Sequence, residues 1–197
     1  MIDLNKPVQY VKNVGPNRVK LLNKLNIYML KDLITYFPRN HEDRSIAKKI
    51  VDCEDGETVL IKAKALTKVT EMRTRRLAIY KLVVSDESSS CVITWFNQRY
   101  LKDKFKVGET YTFFGKIENK GGTFEMKSPV YDEEGVDKNT GKIVPIYPLT
   151  SNLSQNVLRK IIENGIDEVY GNLEENLPEY IIDTFKLLEI NEAYKNI

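Results

Sequence analysis

Residues 77–129 read LAIYKLVVSDESSSCVITWFNQRYLKDKFKVGETYTFFGKIENKGGTFEMKSP, and apolar residues alternate with polar ones along much of this stretch. Cys91 and Trp95 keep the same phase, as residues on the buried face of a strand do. The polar run 86–90 interrupts the alternation and predicts a turn. The first half of the stretch is therefore expected to form two neighbouring strands.

The second half predicts a short helix followed by a hairpin. Asn97 is the expected cap of that helix, in which Tyr100, Leu101 and Phe105 have helical spacing. Gly121-Gly122 predicts the turn between the last two strands. An earlier alternating segment at 58–69 supplies one more strand, so the order is β-β-β-α-β-β. That order is typical of the OB-fold, a five-stranded barrel that often binds single-stranded nucleic acid.

Composition is that of a soluble, folded intracellular protein. The chain has 197 residues, of which 42% are hydrophobic and 29% charged, and no apolar run approaches the roughly 20 residues that span a bilayer. Two isolated cysteines, Cys53 and Cys91, favour a reduced pair, although their number allows a disulfide. The expected location is the cytoplasm, with no export signal at the first residues.

The net charge of +2 conceals an uneven distribution. Residues 1–129 carry 24 Lys and Arg against 15 Asp and Glu, whereas residues 130–197 carry 6 against 13. A basic front half favours a polyanionic partner, because binding releases counterions. A solvated surface with no partner has the same composition, so charge alone leaves both readings open.

Motifs for nucleotide binding and catalysis are absent from the sequence. It contains no G-x-x-x-x-G-K-[ST], no G-x-G-x-x-G and no G-x-S-x-G. His41 is the single histidine and has no cysteine nearby, which argues against a zinc site. We therefore expect no catalytic residue, no metal and no cofactor in this chain, and a binding function.

Residues 1–50 are expected to form a small helical unit in front of the barrel. A helix capped by Asn17 and a second helix at 30–37 would enclose a hairpin similar to helix-hairpin-helix motifs. Gly15 and Arg18 are the candidates for a phosphate contact there. Asn13 stands where that motif has its first glycine, and such hairpins also serve packing alone.

Residues 51–130 are assigned to the barrel and residues 131–197 to a helical linker. Two prolines at 143–150 predict an extended connector rather than a strand. Ser154 is the expected cap of a helix at 155–164, and a last helix at 179–188 is apolar on one side. The apolar side of that last helix is expected to pack against a partner surface. The fold class is therefore mixed α and β.

Several motifs, in order along the chain, resemble the N-terminal region of the RecG family, bacterial ATP-dependent helicases that remodel branched DNA. The motifs are VKNVGPNR at 11–18, KLNI at 24–27, DLI at 32–34, YFPR at 36–39, EDRS at 42–45, WFNQ at 95–98, GK at 115–116 and PIYPLT at 145–150. Asn13 departs from the usual glycine of the family. The resemblance implies that an ATPase motor, with its ATP and Mg²⁺, would follow residue 197.

The resemblance also implies a role for the barrel as the wedge that splits strands at a fork. Carried over to this sequence, it assigns base stacking to Phe96 and Tyr100. Phe96 directly follows Trp95, which we place in the core. Alternation along the strand therefore predicts that Phe96 faces away from the core, in agreement with a stacking role. The alternative is that both rings are buried between barrel and helix.

The expected DNA contacts extend from that aromatic pair into polar and basic neighbours. Asn97 and Gln98 are adjacent polar candidates, and the phosphate candidates are Arg73, Arg75, Arg76, Lys102, Lys104, Lys106 and Lys116. The partners implied by the resemblance are branched DNA (replication forks and Holliday junctions, in repair and recombination) and the motor domains of the same protein. The chain is expected to be monomeric, nucleoid-associated and free of membrane. The alternatives are a general single-strand-binding OB protein and a protein-docking scaffold for the motor.

Overall fold

The computed structural model describes residues 2–136 and 139–196. Its strands are β1 (Asn40–Asp43), β2 (Thr58–Ala65), β3 (Thr70–Arg73), β4 (Ala78–Ser85), β5 (Ser90–Phe96), β6 (Thr110–Lys120), β7 (Thr123–Lys127), β8 (Val130–Glu133) and β9 (Ile143–Ile146). Its helices are α1 (Pro16–Asn23), α2 (Leu30–Ile34), α3 (Gln155–Val169), α4 (Glu179–Phe185) and α5 (Ile190–Lys195). Short 3₁₀ turns lie at Val8–Tyr10, Ile50–Asp52 and Arg99–Asp103.

The chain divides into two compact units, and one of them is discontinuous in sequence. Residues up to His41 group with those from Pro145 onward, while Glu42–Val144 form the other unit, called here the barrel unit. We call the discontinuous one the helical unit. The three domains predicted from the sequence, 1–50, 51–130 and 131–197, are consecutive segments of the chain, and that division stays a prediction.

The barrel unit is a closed sheet of five strands, as the OB-fold order predicts. Its neighbours run β2-β4-β5-β7-β6, and β6 pairs again with β2 to close the ring. All of these pairs are antiparallel except β5 with β7, where Cys91 lies opposite Phe124. Two strands were not predicted: β3 pairs with β4, and β8 pairs with β6.

The interior of the barrel is rich in aromatic rings. Its rings belong to Trp95, Phe105, Tyr111, Phe113 and Tyr131, with centroids 4.8–6.4 Å apart between contacting rings. Trp95 is 1% exposed, and its Nε1–H donates to the carbonyl of Pro129 at 3.3 Å. Cys53 and Cys91 are buried free thiols. The core positions predicted for Cys91 and Trp95 are confirmed.

Local turn chemistry explains the hairpin between β6 and β7. Gly121 and Gly122 have φ of 61° and 86°, a region that favours glycine. Lys120 pairs with Thr123 across the turn, so the predicted hairpin is confirmed.

The core of the helical unit is built from both ends of the chain. It buries Val8, Leu22, Leu30, Leu33, Tyr147, Leu158, Ile161 and Val169, among others. Gly165 allows α3 to approach α2 closely, because a Cβ there would lie 2.8 Å from Leu33 Cδ2. No helix in the described part of the chain is both long and apolar enough to cross a membrane.

Several predicted boundaries need correction. Asn17 does not cap α1; Gly15 is the cap position and Pro16 begins the helix, where its missing N–H is not needed. The helix expected at 30–37 ends at Ile34. Ser154 does cap α3, accepting from the Val157 N–H at 3.4 Å.

The segment 143–150 is not only a connector. Its first residues form β9, which pairs with β1 in a two-stranded sheet. Pro145 is tolerated there, since each strand of a two-stranded sheet keeps one edge free of backbone partners. Near the end of the chain, α4 stops at Phe185, where Lys186 turns into the left-handed region, and α5 follows without having been predicted.

Candidate nucleic-acid interface

The loop after β5 fixes the position of the two predicted stacking residues. Phe96 is the last residue of β5, lies opposite Ile79 of β4 and is half-buried. Trp95 beside it points into the core, as the alternation predicted. Asn97 then takes a φ of 56° and reverses the chain. Its Oδ1 accepts from the Ala78 N–H at 3.0 Å, so Asn97 extends the β4–β5 pairing and does not cap a helix.

Tyr100 is presented by a 3₁₀ turn rather than by an α-helix. Leu101 and Phe105 anchor the turn in the barrel, whereas the Tyr100 side chain is 69% exposed. Its hydroxyl donates to Gln98 Oε1 at 2.9 Å. Since Phe96 belongs to a strand, the two rings are not one helical turn apart, and within the described residues neither makes a ring–ring contact. The stacking role of both rings stays a prediction.

The hairpin between β3 and β4 brings three of the predicted phosphate ligands together. The Thr74 N–H donates to the Leu77 carbonyl at 2.8 Å and closes the tip. Arg75 and Arg76 lie exposed at that tip and, within residues 2–136 and 139–196, pair with no carboxylate. Arg73, at the end of β3, is bound to Glu71, with 2.5 Å between Nε and Oε1.

Glu71 joins this hairpin to the turn that carries Tyr100. Its carboxylate accepts from the Tyr80 hydroxyl at 3.0 Å, and its Oε2 lies 3.5 Å from the Lys102 Nζ. The Arg73 hydrogen bond, together with these neighbours, holds the pKa of Glu71 below its usual value. Glu71 thereby joins Arg73 of β3 to Lys102, which belongs to the same 3₁₀ turn as Tyr100.

The remaining predicted cations are more dispersed. Lys104 is bound to Glu133 at 2.6 Å, which raises the pKa of the lysine, and Lys106 lies 3.3 Å from Glu109. These ion pairs are exposed and therefore weak, so phosphate can compete for the lysines. Lys116 lies exposed on β6 opposite Thr58, and no described contact joins it to the hairpin tip.

The hairpin in the helical unit has an asparagine in a backbone conformation that favours glycine. Asn13, in place of the first glycine, has a φ of 68°, a conformation that asparagine tolerates. Gly15 has a φ of −90° and no atom near its would-be Cβ. Arg18 donates to the Asn13 carbonyl at 2.6 Å. A phosphate contact at Gly15 and Arg18 stays a prediction.

Comparison with known proteins gives the family of this chain. A family model described as the RecG wedge domain matches residues 7–169. The chain belongs to the RecG wedge domain family.

Relatives of known name are ATP-dependent DNA helicases called RecG. The one from Thermotoga maritima is 37% identical over 98% of this chain and 25% of its own length, and that from Streptococcus pneumoniae is 30% identical over 98% and 28%. A solved structure of RecG bound to a three-way DNA junction superposes with a TM-score of 0.89 at 36% identity, covering all of this chain and 27% of the other. The chain thus spans about a quarter of the length of the curated relatives it matches.

Within this RecG wedge, sequence reasoning missed Glu71 and Arg99. Glu71 is the lone carboxylate in the basic run 70–76, which was the available signal for a charge-organising residue. Arg99 is exposed immediately before Tyr100. Its position in the motif FNQRY makes it a further cation for the same surface.

Proposed function

We propose that this chain is the branched-DNA-binding wedge of a RecG-type helicase acting on replication forks and Holliday junctions. The observation that carries the proposal is Tyr100, an exposed ring held by a 3₁₀ turn on a closed OB barrel. Phe96 ends the strand before this turn, and Glu71 pairs with Arg73 and with Lys102 of the same turn. An exposed ring next to cations suits a base pair at a junction, with its phosphates on either side.

In this function the barrel is a passive divider. A motor elsewhere in the full-length protein would draw duplex toward it, using ATP and Mg²⁺ that we expect the motor, and not this chain, to bind. Phe96 and Tyr100 would stack on the separated bases, while Arg75 and Arg76 would hold backbone phosphates without reading sequence. The chain alone is expected to hydrolyse no ATP, to be monomeric, and to work in the bacterial cytoplasm at the nucleoid.

The test is a binding titration of the chain against a three-way fork, plain duplex and single strand at two salt concentrations. Stacking is worth roughly 1–3 kcal/mol per base, so Phe96→Ala/Tyr100→Ala should weaken fork binding about ten-fold or more. Tyr180→Ala/Phe185→Ala is the control, since it also removes two aromatic rings, which are 68% and 67% exposed on α4, close to the 69% of Tyr100. Circular dichroism spectra of both variants would be compared with the parent to check that they are folded.

Two outcomes would contradict the proposal. If the parent binds all three DNAs equally, the chain is a general single-strand-binding OB protein at most. If the fork preference survives in Phe96→Ala/Tyr100→Ala, the preference comes from another surface.

A second candidate function, docking of the motor domains, is favoured by α4. No residue of this helix is buried, and its surroundings expose Leu177, Tyr180, Phe185 and Leu188. An apolar surface of this kind usually meets another protein surface. Sedimentation of the chain with the remaining domains of the Thermotoga maritima relative, supplied separately, tests it. A complex that Tyr180→Ala/Phe185→Ala abolishes supports docking, and no complex with the parent contradicts it.

A further inference from the structure

The segment 8–31 carries only positive charge, and Asp32, which follows it, accepts hydrogen bonds from the backbone N–H groups of Tyr28 and Met29. Residues 8–31 contain no Asp or Glu and five cations, Lys12, Arg18, Lys20, Lys24 and Lys31. Among the described residues, none of the five makes an ion pair, in contrast to Lys102, Lys104 and Lys106 of the barrel. Within the described residues, this segment is therefore a basic surface whose cations are not neutralised by ion pairs.

An apolar pocket of about 400 Å³ opens within this basic segment. It is lined by Gln9, Tyr10, Val14, Pro16, Val19 and Lys20, and none of these is acidic. Tyr10 is 64% exposed although it is a large aromatic residue, and Val14 forms a buried floor. The volume lies at the lower end of small-ligand sites, which suits one planar ring better than an extended ligand.

Carboxylates on the neighbouring helix α3 reduce this charge only in part. Asn164 of α3 donates to the Lys12 carbonyl at 3.0 Å, so α3 packs beside the segment. Glu163 is paired with Lys160, and Glu168 with Lys6, which leaves Asp167 as the carboxylate of that region without an ion pair in the described chain.

We propose that this pocket is a second nucleic-acid site, which takes one base of single-stranded DNA. The base stacks on Tyr10 over the floor made by Val14, and Lys20 binds a flanking phosphate. The inference rests on the proposed function, because it supposes a DNA partner, and it adds a contact outside the barrel. A strand that leaves the junction would be held here independently of the rings at Phe96 and Tyr100.

The experiment uses the full chain and a fluorescently labelled oligothymidine as probe. Tyr10→Ala should weaken binding about ten-fold, the range reported by alanine substitution of stacking rings, whereas Tyr10→Phe should bind like the parent. Tyr28→Ala is the matched control: Tyr28 is half-exposed in the same unit but does not line the pocket. Ultraviolet crosslinking with a bromodeoxyuridine oligonucleotide should place the crosslink on the segment containing Tyr10.

Each variant is also made in the Phe96→Ala/Tyr100→Ala background. A loss caused by Tyr10→Ala in that background supports the second site even if the barrel rings prove idle. Equal affinities for Tyr10→Ala and Tyr28→Ala in both backgrounds would overturn the inference. Heparin, which has no bases, should bind Tyr10→Ala as tightly as it binds the parent. If Tyr10→Ala weakened heparin binding as much as oligothymidine binding, the effect would be one of charge, and this result would also overturn the inference.

Discussion

The salt dependence of fork binding should reveal which cations of the barrel contact phosphate. Arg75 and Arg76 lie at the tip of the β3–β4 hairpin without a carboxylate partner in the described chain. If both contact phosphates, the variant Arg75→Gln/Arg76→Gln releases two fewer counterions on binding duplex DNA. The perturbation removes charge only, since both side chains are exposed and the hairpin is closed by backbone and Thr74 hydrogen bonds.

The size of the effect follows from the number of contacts. Each phosphate neutralised on B-DNA contributes about 0.9 to the slope of log affinity against log salt, so the double variant should lower the slope by about 1.8. Between 50 and 200 mM salt, the parent should therefore lose about ten-fold more affinity than the variant does.

Two controls distinguish a direct phosphate contact from an effect of net charge. Lys49→Gln/Lys64→Gln removes the same net charge from a groove of about 460 Å³ beside Ser85, at the other end of β4. That end lies about 25 Å from the tip along the strand, beyond the roughly 8 Å over which charges act at physiological salt. Lys62→Gln/Glu134→Gln removes an exposed ion pair that was not predicted to contact phosphate, and it leaves net charge unchanged. Both controls should keep the slope of the parent within about 0.5.

The assay is fluorescence anisotropy with a labelled three-way fork at four salt concentrations. A slope that falls equally in the tip variant and in Lys49→Gln/Lys64→Gln would refute the reasoning, because net charge alone would then explain it. An unchanged slope in the tip variant would remove Arg75 and Arg76 from the interface.

Three further predictions concern the two units themselves. Trp95→Ala should cost about 3–5 kcal/mol in urea denaturation, since the ring is buried, whereas Tyr100→Ala should stay within about 0.5 kcal/mol; similar losses would mean that Tyr100 is also core. Burial raises the pKa of Cys53 to about 11 and of Cys91 to about 12, so neither thiol should react with Ellman's reagent at pH 8 before unfolding. The neutral thiols also stabilise the fold below pH ~9, and this stability should fall as the pH rises further; fast labelling or a flat stability profile would contradict the burial. Gly15→Ala should leave the melting temperature unchanged, because the backbone at Gly15 is extended and no atom lies near its would-be Cβ. A loss of DNA binding without a loss of stability would therefore indicate a phosphate contact at this hairpin.

The barrel strands could be predicted because the pattern that specifies each strand lies in consecutive residues. Cys91 and Trp95 alternate with outward residues, and Gly121-Gly122 specifies a tight turn, so each strand and hairpin is encoded in consecutive residues. The short strands β3 and β8 were missed because the basic tip 70–76 and the acidic run after Pro129 resemble solvated loops. Their pairing comes from the sheet edge that they join, which no local pattern reports.

Long-range packing explains the other misses. The sequence predicted α3 and its cap, but nothing near Gly165 in sequence identifies Leu33 as the side chain that it contacts. The role of Glu71 is similar, since its partner Lys102 is distant along the chain. The exposure of Tyr100 depends on a 3₁₀ turn where the spacing had indicated a helix, because Asn97 uses its side chain to extend the sheet instead.

The discontinuous helical unit has a consequence for synthesis on the ribosome. Residues up to His41 emerge first, yet their core partners begin only at Pro145, after the whole barrel unit. At about 5–20 residues per second, the ~100 intervening residues take roughly 5–20 s. During that delay Val8, Leu22 and Leu33 lack the part of their core that α3 supplies, whereas the barrel strands β2–β8 are complete once Glu133 has emerged. We therefore expect the barrel to fold first, and nascent chains arrested before residue 145 to bind chaperones through their N-terminal segment.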